Sequence, residues 1–465
     1  MKAPAVQKQQ APSRQNLPPE LAHLEQINLH AAGIDVGSAE HWVCVPVGRT
    51  EPHVRCFGCF TPDLEAMAAW LVSCGVTTVA MESTGVYWIP VFQILESHGL
   101  AVKLVNAHHL KTVPGRKSDV LDCQWLQKLH TYGLLAGSFR PADQVCVLRS
   151  YVRQRERLIQ GAALHLQRLQ HALIQMNVQL HKVISDISGV TGMAIIRAIV
   201  AGERNPLTLA ALKDPRIRST HEEIAKALTG NYRDELLFVV QQELLLYEQH
   251  QQQLAACDTQ IEQCLSGFDA RTEQAPPPAR NKRRKTTQNA PAFDLRGHLH
   301  RISGVDFTQI NGLEALSVQT ILSEVGLDPA RFPSVKHFCS WLGLCPGTRI
   351  TGGKPLSSQT RRVVNRAANA FRLAAQAVSR SHSALGAFYR RMRTRLGAPK
   401  AITATAHKIA RLFYKFWSTD ETYTDPGEGY YEQKYRERLV KHLKKTAHSL
   451  GFDVVPQSPN PESVS

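Results

Sequence analysis

Two aspartates, Asp119 and Asp122, lie three residues apart in the stretch KSDVLDCQWL, directly after Ser118. Ser118 is a good N-cap, so the spacing predicts that a helix begins here. Positions i and i+3 share one helical face, so both carboxylates can point the same way. Arg116 and Lys117 just upstream are basic and could contact nucleic-acid phosphates. The acids therefore lie beside residues that attract anions.

Two further acids, Asp35 in GIDVGS and Glu82 in MESTG, each lie at the end of a predicted strand. Strand ends and a helix start can converge at one edge of a sheet. Four carboxylates there would repel each other unless cations lay between them, and Mg²⁺ or Mn²⁺ prefers such oxygen ligands. Two ions ~4 Å apart can hold the attacking and leaving oxygens of a phosphodiester. We therefore predict that Asp35, Glu82, Asp119 and Asp122 are catalytic and metal-binding.

The composition fits a nucleic-acid partner. Of 465 residues, 55 are Lys or Arg and 39 are Asp or Glu, a net charge of +16. This excess predicts a polyanionic partner, although a charge that serves only solubility is an alternative. No apolar run of ~18 residues predicts a membrane span, and no signal peptide is recognisable. Ten scattered cysteines fit reduced thiols, so we expect a cytoplasmic protein that joins the nucleoid during its reaction.

The first part of the chain has an α/β pattern. Short apolar segments bounded by glycine predict strands, and the first two form a hairpin with its tip near Gly37 and Ser38. Longer segments with helical spacing end in glycine. The predicted strands cover 30–36, 41–47, 77–83 and 101–107, and the predicted helices cover 63–75 and 86–99.

The middle of the chain predicts two long helices. Apolar residues recur at steps of three and four from about 145 to 182 and again from 233 to 266. This spacing is typical of a coiled coil, and we expect an antiparallel arm with 184–232 inserted at its tip. An ordinary helical bundle is an equally good interpretation. The domains we predict are a lead-in (1–28), an α/β domain (29–140), the arm (141–268), a linker (269–296), a helical domain (297–420) and a tail (421–465).

The linker and the last domain carry further basic and turn-forming residues. The linker contains three prolines and the run Lys282, Arg283, Arg284 and Lys285. This run could touch phosphates, although a solvated tether is an equally good interpretation. Residues 187–202 and 310–326 each place a glycine turn before an apolar helix, as helix-hairpin-helix elements do. Such a turn can offer backbone N–H groups to a phosphate, although plain helix packing is an alternative.

Taken together, GIDVG, MESTGVYW, VNAHHLKTVPGRKSDVLDCQWLQKLHTYGLL and FCSWLGLCPGTRITGGK resemble the DEDD transposases of the IS110/IS1111 insertion-sequence family. GYYEQKYRERLVKHLKKTAHSLGF (429–452) is similar to the end of the IS1111 branch. The resemblance implies an α/β RuvC-like N-terminal domain of the RNase H fold, a coiled-coil arm and an α-helical C-terminal transposase domain. Asp35, Glu82, Asp119 and Asp122 match the DEDD quartet.

The family also uses a hydroxyl nucleophile, commonly a serine before glycine, shortly after the GLxP turn. Thr351 stands at that place here. Its hydroxyl is chemically competent if activated, but its β-methyl would crowd the approach. Ser357 and Ser358 are the fallback candidates, and a plain turn at Thr351 is the local alternative. The basic residues expected to contact phosphates nearby are Lys354, Arg361, Arg362 and Arg366, the last two one helical turn apart if a helix begins near Ser358.

The resemblance implies a transposase that cleaves, exchanges and religates DNA strands through a covalent protein–DNA intermediate, with two Mg²⁺ or Mn²⁺ ions. It also implies a guide noncoding RNA from the element and assembly as a homodimer or homotetramer. Two other functions remain open from the sequence. A Holliday-junction or structure-selective endonuclease would use the same acids with water as the nucleophile. An architectural nucleic-acid-binding protein would need neither the acids nor metal.

Overall fold

A computed structural model describes residues 25–106, 119–280, 289–357, 359–361 and 363–455. The chain divides into two compact units, with the boundary between Arg140 and Pro141. None of the helices in these ranges is long and apolar enough to cross a membrane.

The first unit is built on a five-stranded mixed sheet with the strand order β3-β2-β1-β4-β5. β1 pairs antiparallel with β2 and parallel with β4, and β4 pairs parallel with β5. The mixed α/β sheet expected from the sequence is confirmed and is consistent with an RNase H-like domain. The elements are β1 (Ala31–Val36), β2 (Glu40–Cys44), β3 (Val54–Gly58), α1 (Thr61–Ser73), β4 (Thr78–Glu82), α2 (Trp88–Ser97), β5 (Ala101–Val105) and α3 (Asp119–Thr131).

Side chains alternate between the two faces of this sheet. Ile34 of β1 and Met81 of β4 point to a core that they share with the buried side chains of α1 and α2. The opposite face carries Ala80, which packs with Leu126 of α3. Gly33 lies on that same face, and a Cβ atom there would stand 2.4 Å from both the Cys123 carbonyl oxygen and the Gln127 nitrogen. Helix α3 therefore lies directly on the backbone of β1, which only glycine permits.

We predict that Gly33→Ala destabilises the first unit by about 3 kcal/mol, because the new methyl group would meet helix backbone that cannot rotate away. Chemical denaturation followed by tryptophan fluorescence measures this. Gly137→Ala is the matched control, because its Cβ would lie 3.5 Å from the flexible Lys103 side chain, an ordinary contact. Equal stability of the two variants would contradict the close packing of α3 on β1.

Strand β3 is the element of this sheet that the sequence pattern did not predict. It pairs with β2 at the edge of the sheet, and its residues are half-buried or exposed. An edge strand that is little buried does not require alternating apolar residues. The pattern that predicts inner strands is therefore absent from β3. The predicted hairpin is confirmed, since the Gly37 N–H donates to the Glu40 carbonyl oxygen at 3.1 Å.

In the second unit, α4 (Asp143–Gln175) and α9 (Asp234–Ser266) lie side by side and antiparallel. Gln144 Nε2 donates to the Gly267 carbonyl at 2.9 Å near one end, and the Asn231 N–H donates to the Met176 carbonyl at 3.0 Å near the other. The predicted seam is largely buried, but a coiled-coil supercoil stays a prediction. Its buried residues are Ala162, Leu169, Leu173, Met176, Leu180, Val240, Leu244, Tyr247, Leu254, Ile261 and Leu265.

Asp258 is a polar interruption in this seam and is buried. Its carboxylate accepts two hydrogen bonds from Arg155, at 2.5 Å from Nε and 3.2 Å from Nη2. A buried acid is tolerated when such a partner neutralises it, which explains how the interruption fits between the helices.

The residues inserted between the two long helices form a small helical subdomain. It shares one apolar core with the neighbouring ends of α4 and α9. Its helices are α5 (Leu180–Val183), α6 (Val190–Val200), α7 (Pro206–Ala211) and α8 (His221–Ala227).

The C-terminal part is mostly helical, as expected, around an aromatic cluster in which the rings of Phe307 and Phe413 stack at 3.9 Å. One short hairpin of β6 (Arg349–Thr351) and β7 (Lys354–Ser357) interrupts the helices. The helices are α10 (Leu295–Ser303), α11 (Ala315–Val325), α12 (Val335–Trp341), α13 (Arg366–Ala377), α14 (Ala384–Leu396), α15 (Ala398–Thr419) and α16 (Gly427–Ser449).

Three local features differ from or refine the sequence interpretation. The suggestion of a helix beginning near Ser358 is wrong, because α13 begins at Arg366, where the Asn365 side chain accepts from the Ala368 N–H. Part of the linker is bound to the helical domain, since Gln309 Nε2 donates to the Pro278 carbonyl at 3.1 Å. At Gly312, in the turn before α11, a Cβ would lie 2.5 Å from the Ala374 carbonyl, so α13 occupies that side of the turn.

Candidate active site

Asp35 and Glu82 are placed by the register of two parallel strands. Ile34 of β1 is paired with Met81 of β4, and each acid is the next residue along its strand. Because alternate residues point to opposite faces, both acids point away from the core of Ile34 and Met81. They therefore lie side by side at the carboxyl ends of neighbouring strands, on the face that α3 covers.

Asp119 and Asp122 are brought to the same place by the direction of α3. Cys123 of the helix lies against Gly33, and the Gln127 side chain donates to the Ala31 carbonyl at 3.3 Å. The helix therefore runs antiparallel to β1. Four residues of helix rise ~6 Å and two residues of strand rise ~6.6 Å, so the first turn of α3 lies level with Asp35.

The four carboxylates form one electrostatic group. The pKa of Asp35 is raised to about 6, first by burial and then by repulsion from Glu82, Asp119 and Asp122. The Val36 backbone N–H partly offsets this increase. No Lys or Arg of the described ranges forms an ion pair with any of the four acids. Among the residues that the structure describes, the predicted quartet is thus a group of negative charges that no Lys or Arg ion pair offsets.

This donor set fits a hard divalent cation, because it consists of carboxylate oxygens whose mutual repulsion a cation would relieve. Within the ranges that the structure describes, no three His, Cys, Asp or Glu side chains reach the spacing of ligands around one ion. The backbone geometry therefore places the acids at one edge, although no three of the four carboxylates converge on one point.

We predict that Asp35→Asn stabilises the metal-free protein at pH 8 by about 1–2 kcal/mol, a value discounted because Asp35 is only half-buried. A carboxyl whose folded pKa is raised from 3.8 to about 6 favours folding at low pH, and that contribution is lost as the pH rises through 6. The difference between variant and wild type should therefore shrink toward zero near pH 4. Denaturation in chelator measures it.

Glu65→Gln is the control, because Glu65 is an exposed carboxylate of the same unit. It should leave the free energy of unfolding unchanged within ~0.5 kcal/mol at pH 8. A destabilised Asp35→Asn variant in chelator at pH 8 would contradict the repulsive grouping.

Sequence reasoning did not single out Thr84 or Glu40, which also belong to this edge. The Thr84 hydroxyl donates to Glu82 Oε1 at 3.3 Å. Glu40 begins β2, and it and Asp119 both raise the pKa of Cys56, after the larger effect of burial. Thr84 could have been found from the sequence, because its hydroxyl follows the strand-end acid Glu82 by two residues. Glu40 could not, because its place at this edge depends on the pairing of β1 with β2.

Thr351 lies at the tip of the β6–β7 hairpin, where it pairs with Lys354. The two residues between them, Gly352 and Gly353, have φ values of +54° and +77°. Two-residue turns with positive φ at both positions favour glycine, so the local sequence specifies this tight turn. Thr351 and Lys354 are both exposed. The hairpin therefore presents a hydroxyl and an ammonium group beside each other.

The other predicted residues near the hairpin are partly engaged. Arg361 Nη2 donates to the Ser340 carbonyl at 2.7 Å, and the Ser357 hydroxyl accepts from the Gln359 N–H at 3.3 Å. Arg366 is ion-paired with Glu156, so a phosphate would have to displace that carboxylate. The remaining predicted site residues lie outside the described ranges: Arg116, Lys117, Lys282, Arg283, Arg284, Lys285, Ser358 and Arg362.

Comparison with known families gives the class of the protein. Residues 32–178 match the DEDD transposase model of IS110, described as Transposase, and residues 306–390 match the model described as Transposase IS116/IS110/IS902 family. The first range contains all four acids and the second contains Thr351. A search of curated proteins gives no match. The chain is thus a DNA-processing enzyme of the transposase class. It belongs to the IS110 family of insertion-sequence transposases.

Proposed function

We propose that this transposase cleaves, exchanges and religates DNA strands through a covalent bond between Thr351 and a DNA phosphate. The observation that carries the proposal is the grouping of Asp35 with Glu82, Asp119 and Asp122, each of which raises the pKa of Asp35. Neutral side chains would serve a structural sheet edge better, because like charges cost free energy.

The four acids would hold two Mg²⁺ or Mn²⁺ ions, which when bound stabilise charge on the phosphoryl oxygens. The Thr351 oxygen attacks phosphorus, so one O–P bond forms and one DNA P–O bond breaks. The hydroxyl proton passes to a basic group, and the DNA oxygen that leaves takes up a proton. The number of phosphodiester bonds is conserved, so a hydroxyl of a second strand can reverse the step and join the strands.

A guide RNA encoded by the element would select the DNA sequences by base pairing, while the protein contacts backbone and shape. This part of the proposal rests on family resemblance and on the net charge of +16. Recombination joins two DNA partners, so several active sites are needed, and a homodimer or homotetramer supplies them. The assignment to the IS1111 branch rests on the C-terminal segment 429–452.

A second candidate is a structure-selective endonuclease, such as a Holliday-junction nuclease, in which water attacks in place of Thr351. The presence of threonine where the family commonly has serine favours it, because a β-methyl group crowds the attacking oxygen. The same four acids would serve both reactions.

The distinguishing experiment uses end-labelled element DNA, purified protein and Mg²⁺, followed by denaturing electrophoresis. The covalent mechanism predicts label that migrates with the protein, and chelation should abolish it. Cleaved DNA with no adduct at any time point would favour the nuclease. Sequencing of RNA that co-purifies with the protein tests the guide, since a discrete element-derived RNA is expected and its absence under RNA-preserving conditions would refute that part.

A further inference from the structure

Helix α16 is a surface helix, and none of its residues is buried. Its first half is attached to α14. The Arg391 guanidinium lies 3.2 Å from the centroid of the Tyr435 ring, and the rings of Phe388 and Tyr431 meet edge to face at 6.0 Å. These contacts fix the helix on the domain and determine which of its faces point outward.

Beyond Tyr435 the helix becomes strongly cationic. Its last twelve residues contain no acid and four Lys or Arg residues, which are Arg438, Lys441, Lys444 and Lys445. Helical geometry places Lys434, Arg438, Lys441 and Lys445 on one face, at positions i, i+4, i+7 and i+11. The row is about 16 Å long at 1.5 Å per residue. We name these four residues the C-terminal cationic face.

The far side of the same segment is apolar and also exposed. Leu439 is 51% exposed and Leu443 is 56% exposed. These residues lie about 130° and 170° away from the centre of the cationic face around the helix axis, at ~100° per residue. The two faces can therefore be altered independently by substitution.

The neighbouring helix α15 extends the cationic side. Burial lowers the pKa of Lys408, and the positive charges of Arg438 and Arg411 lower it further. Within the described ranges, neither Arg411 nor Arg438 forms an ion pair with a carboxylate. Residues 434–445 contain one acid, Glu437, against six Lys or Arg residues. Cations in such excess repel each other, and an external polyanion would relieve that repulsion.

We propose that the C-terminal cationic face binds the phosphate backbone of duplex DNA. The phosphates of one strand wind around the duplex axis, so a straight row of cations ~16 Å long can follow the strand over about two to three of them. The inference rests on the proposed function only in taking DNA as the partner. An anionic membrane would instead contact the apolar side, through Leu439 and Leu443, and the test separates that outcome.

The test measures binding of an arbitrary 30-base-pair duplex by the full chain carrying Asp35→Asn, so that no cleavage occurs. In that background, Arg438→Gln, Lys441→Gln and Lys445→Gln together should weaken binding at least about tenfold at 0.15 M salt. The slope of log affinity against log salt should become shallower by about two to three, at ~0.9 for each phosphate that the protein no longer neutralises. Circular dichroism verifies that α16 stays helical.

The matched control is Leu439→Gln with Leu443→Gln, which alters the apolar side of the same helix and should leave the slope unchanged. An unchanged slope in the cationic-face variant would overturn the inference, as would loss of binding confined to structured RNA or to anionic vesicles. The adduct assay separates this from the proposed function. If the wild-type chain binds duplex DNA but forms no adduct, the covalent mechanism is refuted. The inference that the C-terminal cationic face binds duplex DNA would be unaffected.

Discussion

Asp35→Asn should lower DNA strand cleavage by at least about 10³-fold while DNA binding persists. Asp35 is half-buried, as are Glu82 and Asp122, and the other three acids of the quartet raise its pKa electrostatically. An asparagine keeps the shape and removes the charge that would hold a cation against the phosphodiester. Losses of about 10²–10³ are typical when one preorganised electrostatic group is removed, and the loss should reach the upper end here because the substitution would also weaken the binding of divalent cations. Single-turnover cleavage of labelled element DNA in Mg²⁺ measures the rate.

Glu65→Gln is again the matched control, since it neutralises an exposed carboxylate of α1 in the same unit and should leave the rate unchanged. The denaturation measurement in chelator tests whether a loss of cleavage results from unfolding of the variant. Asp35→Asn should be at least as stable as wild type without metal, so lost cleavage cannot be attributed to unfolding. Cleavage at more than a tenth of the wild-type rate would remove Asp35 from the active site.

The placement of the four acids at one edge of the sheet could be expected from the sequence, because it depends on short-range rules. Asp35 and Glu82 end strands whose parallel pairing puts them side by side. The start of α3 at Asp119 follows from helical spacing, and its contact with β1 follows from a single glycine, Gly33. The sequence could not predict how closely the four carboxylates approach each other, because side-chain rotamers do not follow from residue spacing.

Other elements escaped prediction for physical reasons. The β6–β7 hairpin has strands of three and four residues, too short for a period-two pattern, although its glycine pair correctly indicated a turn. The start of α13 was misplaced because its cap is an asparagine that follows an irregular segment. The partner of Asp258 was equally hidden, since Arg155 lies 103 residues away and pairs with it only after the helices pack.

Thr351→Ala should abolish the covalent protein–DNA adduct while duplex binding stays within about twofold of wild type. The alanine removes the only oxygen that this side chain can place on phosphorus, so no weaker version of the bond remains. The hairpin itself should survive, because its turn is specified by Gly352 and Gly353. Denaturing electrophoresis of labelled DNA with each variant measures the adduct.

Two further variants, Thr351→Ser and Ser357→Ala, identify which hydroxyl is the nucleophile. Serine at 351 keeps the hydroxyl and removes the β-methyl, so the adduct should form at least as fast as in wild type. Ser357→Ala removes a neighbouring hydroxyl that accepts a hydrogen bond from the Gln359 N–H, and the adduct should persist. If Ser357→Ala abolished the adduct and Thr351→Ala did not, the nucleophile would be Ser357 and not Thr351. If cleavage continued in both variants with no adduct in wild type, water would be the attacking group, and the same four acids would serve a hydrolytic nuclease.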